Sequence, residues 1–299
     1  MMEYRKLGKT DLSISRVGFG TMSLELDGLT TERLLLDALE GGINYFDTAD
    51  MYQQGLNESF LGRVFRGKRE KIVLATKVGN QWRTDGSGWD WNPSKKYIIN
   101  EVEKSLQRLQ TDHIDLYQLH GGTMNDPIDE IIEAFELLKA AGKIRYYGIS
   151  SIRPNVIREY VKRSSISSVM MQYSMLDRRP EEEVLALLLE NQIAVLARGS
   201  IAKGLLVSKP SSNYLDYSAE EVNTAARAIQ FISNGHRSSF ATAVQFVFSN
   251  AAISAAVIGI RTENQLRDAL AVDHSPEISK DHLKMLQSVL PVNKYHEHR

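Results

Sequence analysis

Apolar residues in this chain follow two rhythms that alternate almost from end to end. Short runs rich in Val, Ile, Leu, Ala and Phe read as strands, at 16–20, 43–46, 72–77, 114–120, 144–150, 168–172, 193–197 and 255–258. After each comes a stretch whose apolar positions recur every three or four residues, the mark of an amphipathic helix. These stretches are 31–40, 57–66, 93–109, 127–141, 154–163, 180–190, a longer region holding helices at 219–233 and 238–249, and 263–272. A hairpin over 4–7 and 12–15 precedes the first run, and a last helix is predicted at 279–290. Pro93, Pro127, Pro154 and Pro180 read as first helical residues, where the missing N–H costs nothing. Gly67 and Gly142 read as helix stops.

Eight strand–helix units are the number that closes a (β/α)8 barrel. The predicted fold is therefore α/β: a TIM barrel with an N-terminal β-hairpin and extra helices near the C-terminus. An open doubly wound sheet is the alternative, but it rarely carries eight units without a domain break. No low-complexity linker or Pro/Gly/Ser run interrupts the chain, so residues 1–299 read as one domain.

Charged residues make up 24% of the 299 residues and the net charge is −1, so nothing pulls the whole chain toward nucleic acid or membrane. With no cysteine, disulfides, thiolate metal sites and thiol nucleophiles are all excluded. The segment Met1 to Lys9 is too charged for a secretory leader, and no apolar run approaches the ~18 residues of a membrane helix. The expectation is a cytoplasmic protein; its oligomeric state is left open.

Asp47, Tyr52, Lys77 and His120 fall at or just beyond the ends of the second, third and fourth runs. In a barrel of parallel strands those ends meet at one face, where active sites lie. Alone, each residue has an ordinary reading as a turn former, packing group or rim residue, although a lysine ending an apolar strand needs a partner. Together they place a carboxylate, a phenol, an ammonium and an imidazole in one pocket. A free phenol titrates near ~10, and an adjacent ammonium favours its anion. Such a set can protonate a carbonyl oxygen.

The segment Phe46-Asp47-Thr48-Ala49-Asp50-Met51-Tyr52, followed by Gly55-Leu56-Asn57-Glu58, resembles the signature of the aldo-keto reductases. Ala75-Thr76-Lys77, Gln118-Leu119-His120, Gly18-Phe19-Gly20-Thr21-Met22, Gly148-Ile149-Ser150 and the stretch Gly259 to Leu266 match the same family, in register from about residue 3 to 275. The resemblance implies a (β/α)8 barrel that transfers hydride from NADPH to an aldehyde or ketone. It makes Tyr52 the proton donor, with Lys77 lowering its pKa, Asp47 holding Lys77, and His120 positioning the carbonyl.

The same resemblance lays out the cofactor. Gly20, Thr21, Met22 and Asp47 would border it, and Ser150 and Gln172 would meet the nicotinamide amide. Ser151 stands where the family often has asparagine. Gly199, Ser200, Ile201, Lys203, Gly204 and Leu205 would hold the pyrophosphate. Gly259 would border the cofactor, and Arg261 and Gln265 would hold the adenosine 2′-phosphate, which favours NADPH over NADH. Arg198 takes the place of an aromatic residue beneath the nicotinamide; its planar guanidinium can stack there but repels an oxidised, cationic ring, and contact with a phosphate or a carboxylate substrate is the alternative. Ile258 and Ala269 also depart from the family's proline and asparagine. Neither a Gly-x-Gly-x-x-Gly fingerprint nor a Walker A lysine is present, since Gly18-Phe19-Gly20-Thr21-Met22-Ser23 lacks the third glycine and Gly199-Ser200-Ile201-Ala202-Lys203-Gly204 continues with Leu205.

On the substrate side the candidates are Met51, Tyr52, Trp82 and His120. Trp82, Trp89 and Trp91 share one loop after Lys77, which reads as a pocket wall for flat or extended apolar carbonyl compounds, with Trp89 or Trp91 only pinning the loop. The other histidines (His113, His236, His274, His282, His296, His298) show no ligand spacing; His296 and His298 read as solvated tail residues, and no metal is expected. Two other functions stay open: a lyase or aldolase using Lys77 as a Schiff base, and a cofactor-sensing regulatory subunit of the same fold.

Overall fold

In the computed structural model, residues 2–26, 28–233, 235 and 237–299 are described, so His236 lies outside them. The alternating rhythms fold into a closed barrel of eight parallel strands. In chain order these are β3 (Val17–Gly20), β4 (Tyr45–Asp47), β5 (Val73–Val78), β8 (Ile114–Leu119), β9 (Ile144–Ser150), β10 (Ser168–Gln172), β11 (Ala194–Arg198) and β12 (Ile253–Gly259). Outside them lie α1 (Leu29–Glu40), α2 (Leu56–Val64), α3 (Lys95–Leu109), α4 (Ile128–Ala140), α5 (Pro154–Arg163), α6 (Val184–Glu190), α8 (Ser239–Phe248) and α9 (Glu263–Ala271). The additional helices α7 (Ala219–Ser233) and α10 (Lys280–Ser288) join Leu205, Leu206, Tyr214 and Phe246 in a second apolar cluster beside the main core.

The hairpin of β1 (Tyr4–Lys6) and β2 (Ser13–Ser15) decides which end of the barrel is open. Leu7, Leu12 and Ile14 pack against the inward side chains Tyr45, Val73, Leu116, Leu196 and Ala255. Gly8, at φ +59°, sits so close to the starts of β10 and β11 that an added Cβ would lie 2.7 Å from the Ser167 carbonyl oxygen. The amino-terminal end is thus plugged, and the carboxyl end is left for chemistry.

Several local expectations need correction. The tryptophan loop is a two-stranded antiparallel ribbon, β6 (Asn80–Trp82) with β7 (Trp89–Trp91), in which Trp82 faces Trp89. The Arg83 guanidinium donating to both Asp90 carboxylate oxygens, and the Arg83 N–H donating to the Gly88 carbonyl at 2.9 Å, hold the turn between the two strands. The helix expected at 180–190 is split: Arg179–Glu182 is a 3-10 turn, and Glu183, with φ −154°, breaks the run before α6. Of the four prolines, only Pro154 opens an α-helix; α3 is capped instead by the Ser94 side chain, and Pro127 is the residue before α4. The second strand covers Tyr45–Asp47 rather than 43–46, one step further toward the site.

Candidate active site

The period of two along a strand builds the site. Tyr45 points inward, so Asp47 does too; Val73 and Ala75 point inward, and Lys77 follows; Leu116 is followed by Gln118. Strand pairing then sets Lys77 opposite Gln118, and β4 beside β5. Lys77, fully buried, donates to the Asp47 carboxylate, to the Thr48 carbonyl at 2.7 Å and to the Tyr52 hydroxyl at 3.4 Å. Gln118 donates to the second Asp47 oxygen at 3.2 Å. Burial alone would pull Lys77 down, but Asp47 and Tyr52 hold it above the ordinary lysine value. Burial pushes Asp47 up, against the opposing pull of Lys77 and Gln118.

Tyr52 is turned toward Lys77 by an unusual backbone. Gln53 and Gln54 are both left-handed (φ 48° and 57°), and Gly55 follows at φ +83°, where a Cβ would meet Arg108 at 2.7 Å. Two left-handed non-glycine residues in succession are strained, and such strain persists only when neighbours over-determine it. Here Gln53 donates to the Leu24 carbonyl and accepts from Asn57. His120 stands edge-on to Tyr52 with ring centroids 5.8 Å apart. Burial, reinforced by Lys77 and then Arg198, pushes its imidazole down to about 3, so it is neutral near pH 7. Its Nδ1 is buried without a partner among the described residues.

A second polar layer lies behind these groups, between the barrel wall and α2 and α3. Asn57 ties Thr21 and Thr48 together through its side-chain oxygen. Glu58 accepts from Thr76 at 2.6 Å and from Arg108 at 2.6 Å, and Arg108 also reaches Glu101 at 2.8 Å. Asp50 donates its backbone N–H to the Lys77 carbonyl, and its buried carboxyl makes no hydrogen bond of good geometry among the described residues, with the Met51 N–H and the Tyr97 hydroxyl as its polar neighbours. Burial first, then Glu58 and Glu101, raises this carboxyl well above the usual range. Gln118, Asn57 and Asp50 had no assigned role in the sequence reading. Polar residues inside otherwise apolar runs are the signal that marks them.

The residues expected around a dinucleotide fall on the same end of the barrel. Ser150, Arg198 and Met22 border a cavity of ≈ 500 Å³ whose floor is Tyr52, Lys77 and His120. Gln172 is the register partner of Arg198 and donates to the Tyr214 hydroxyl at 3.4 Å. Thr21 spends its hydroxyl on the Asp47 carbonyl and Asn57. Gly20 and Gly259 are paired neighbours on β3 and β12. Arg261, Gln265, Glu25 and Thr31 border a separate cavity of ≈ 270 Å³ at the start of α9, where the Gln265 side chain accepts from the Arg261 N–H.

The Aldo/keto reductase family model matches residues 16–291. The chain belongs to the aldo-keto reductase family. Across its whole length it is 48% identical to the oxidoreductase YqkF of Bacillus subtilis, and it covers all of that protein. It is 34% identical to the NADH-specific methylglyoxal reductase of Escherichia coli, over 70% of each chain. The holo form of the aldo-keto reductase AKR11C1 from Bacillus halodurans superposes with a TM-score of 0.95 at 45% identity, covering 100% of both chains.

Aldo-keto reductases are oxidoreductases that use a nicotinamide dinucleotide, and two features of this chain fit one. The Ser200 hydroxyl is buried with no partner among the described residues, and the N–H groups of Ser200 and Ile201 have no acceptor there either. They lie in a turn where Gly199, Ala202, Lys203 and Gly204 all have positive φ, a form that suits anion binding. Lys203 is exposed, whereas Leu205 is turned into the second apolar cluster.

On the remaining side, Met51 and Trp82 stand beside the cavity rather than on its lining: the Trp82 indole donates to the Met51 carbonyl at 3.0 Å and braces the loop carrying Tyr52. Trp91 pins the rim. It donates to Asp126 at 3.0 Å and fills space that a Cβ on Gly79 would enter at 2.6 Å. Trp89 is half exposed. The tail residue His298 is exposed, as expected, and it also lines the cavity. Its carbonyl accepts from the Asn155 N–H at 2.9 Å, which fastens the tail to the start of α5.

Proposed function

We propose that this protein reduces a small aldehyde or ketone to the alcohol at the expense of a reduced nicotinamide dinucleotide, NADPH in preference to NADH, with Tyr52 as the proton donor. The observation that carries this reading is the buried Lys77 ammonium, held by Asp47 and Thr48, with its remaining proton directed at the Tyr52 hydroxyl.

Bound in the cavity, the cofactor would supply hydride to the carbonyl carbon. Tyr52 gives its proton to the carbonyl oxygen. The negative charge left on the phenol oxygen faces an ammonium that is already fixed, so little reorganisation is needed. A neutral His120 can donate a hydrogen bond to the same carbonyl oxygen without competing for the Tyr52 proton. Asp47 and Gln118 keep Lys77 from turning away. Ser150 and Gln172 would hold the nicotinamide amide, Ser200 and Ile201 the pyrophosphate, and Arg261 the 2′-phosphate.

Arg198 has no carboxylate partner among the described residues and would lie against the nicotinamide. The Schiff-base alternative is disfavoured, because a nucleophilic lysine must be neutral and Lys77 is held protonated. The test is cofactor titration by protein fluorescence with NADPH and NADH, followed by aldehyde-dependent loss of reduced-nicotinamide absorbance. Tighter binding of NADPH and sustained turnover are expected. Equal binding of both removes the cofactor preference, and no turnover across aldehydes and ketones removes the reductase reading.

A further inference from the structure

The cavity above Tyr52 has a cationic lining, with Lys77, Arg153 and Arg198 all bordering it. Gly121, Gly122, Ile152 and His298 line it as well, and among the described residues no aspartate or glutamate does. Arg153 is placed by the turn between β9 and α5. Its backbone N–H donates to the Ser151 hydroxyl at 3.2 Å, and its guanidinium donates to the Gly122 carbonyl. Among the described residues the rest of that guanidinium has no acceptor, so part of a planar donor fork faces open space.

His298 is supplied by the C-terminal tail. Its backbone is left-handed at φ 62°, and the tail is held by the bond to Asn155 and by an ion pair between Arg299 and Glu182. Its Nε2 lies 3.7 Å from the exposed Glu297 carboxylate. Lys77 cannot serve this region, because its three protons are already directed at Asp47, Thr48 and Tyr52.

We infer that Arg153 and His298 form an anion subsite for the substrate, so that the carbonyl compounds reduced here carry a carboxylate or a phosphate a few bonds from the reacting carbon. This rests on the reductase reading of the site. The carbonyl oxygen would lie at Tyr52 and His120 while the anionic end lies against the Arg153 fork, with His298 lining the same cavity. A charge-assisted bond to a guanidinium is about twice as strong as a neutral one, and a neutral substrate of the same length forgoes it and leaves the cationic wall unpaired.

The experiment compares matched pairs with the full chain: butanal against 4-oxobutanoate, and glyceraldehyde against glyceraldehyde 3-phosphate. For at least one pair, kcat/KM should favour the anionic member by about tenfold, which corresponds to ~1.4 kcal/mol; which pair does so separates carboxylate from phosphate recognition. In Arg153→Met that ratio should collapse toward one, mainly through KM of the anionic member, and Arg153→Lys should restore part of it. His298→Gln should lower the ratio without abolishing it. Because the ratio is taken within each variant, partial loss of folded protein cancels. Ratios near one for both pairs in the wild type overturn the inference and leave the reductase reading intact. If no member of either pair is turned over above the Tyr52→Phe background, the reductase reading and the inference fall together.

Discussion

Lys77 Nζ stands 3.4 Å from the Tyr52 hydroxyl with its other two protons committed to Asp47 and Thr48. An ammonium has three protons, and here each has one acceptor. The charge is therefore fixed in direction as well as position, which a flexible surface lysine could not provide.

The Asp47–Lys77 pair lies at 5% and 1% side-chain exposure, so removing one partner strands the other as a buried charge. Lys77→Met should cost about 3–5 kcal/mol of stability. The double variant Asp47→Asn with Lys77→Met should recover part of that loss while remaining inactive. Denaturant unfolding of the three proteins measures this; a double variant no more stable than Lys77→Met would contradict it.

Asp50 offers a prediction of the opposite sign. Its carboxyl is raised well above 3.8, so the folded state binds a proton that the unfolded state has released once the pH exceeds that value. Stability contributed by this group is therefore lost as pH rises. An amide cannot lose that proton. Asp50→Asn should be as stable as the wild type at about pH 4 and should gain on it as the pH increases toward about 8. Thermal unfolding across that range reads the difference, and a steadily falling relative stability would contradict it.

His120 acts the other way on the pH axis. With its imidazole pushed from 6.5 down to about 3, the unfolded chain binds more protons than the folded one between those values, so stability rises with pH across that window. His120→Asn should flatten this part of the stability curve. The neutral ring also means that His120 adds no ionisation to the kcat/KM profile between about pH 5 and 8. An imidazole titrating near 6.5 by NMR in the folded protein would contradict both statements.

Arg198 should discriminate between oxidation states of the cofactor. Two positive charges about 4 Å apart repel by roughly 1 kcal/mol in water-like surroundings, or about fivefold in affinity. NADP+ should bind about that much more weakly than NADPH, and the gap should close in Arg198→Gln. Equal affinities in the wild type would remove this role.

Much of this was legible in the sequence because barrels are repetitive. Eight apolar runs with amphipathic partners fix the fold, and the period of two sends Asp47, Lys77 and Gln118 to one interior layer. What could not be read depends on contacts distant in sequence. The left-handed Gln53-Gln54 turn is set by Leu24 and Asn57. The ribbon of β6 and β7 is closed by the Arg83–Asp90 pair across a short turn. His298 is held at the cavity by contacts of the tail with Asn155 and Glu182, both far away in sequence. Tail composition carries no trace of those contacts.

The central claim is that Tyr52 delivers the proton, and one measurement addresses it most directly. Wild type and Tyr52→Phe are each loaded with NADPH, the binding is confirmed by fluorescence, and reduced-nicotinamide absorbance is followed after adding an aldehyde that the wild type turns over. The account predicts unchanged NADPH binding with a rate lowered by ~10²–10⁴-fold in Tyr52→Phe. Turnover within a few fold of the wild type, with the same NADPH affinity, would contradict it.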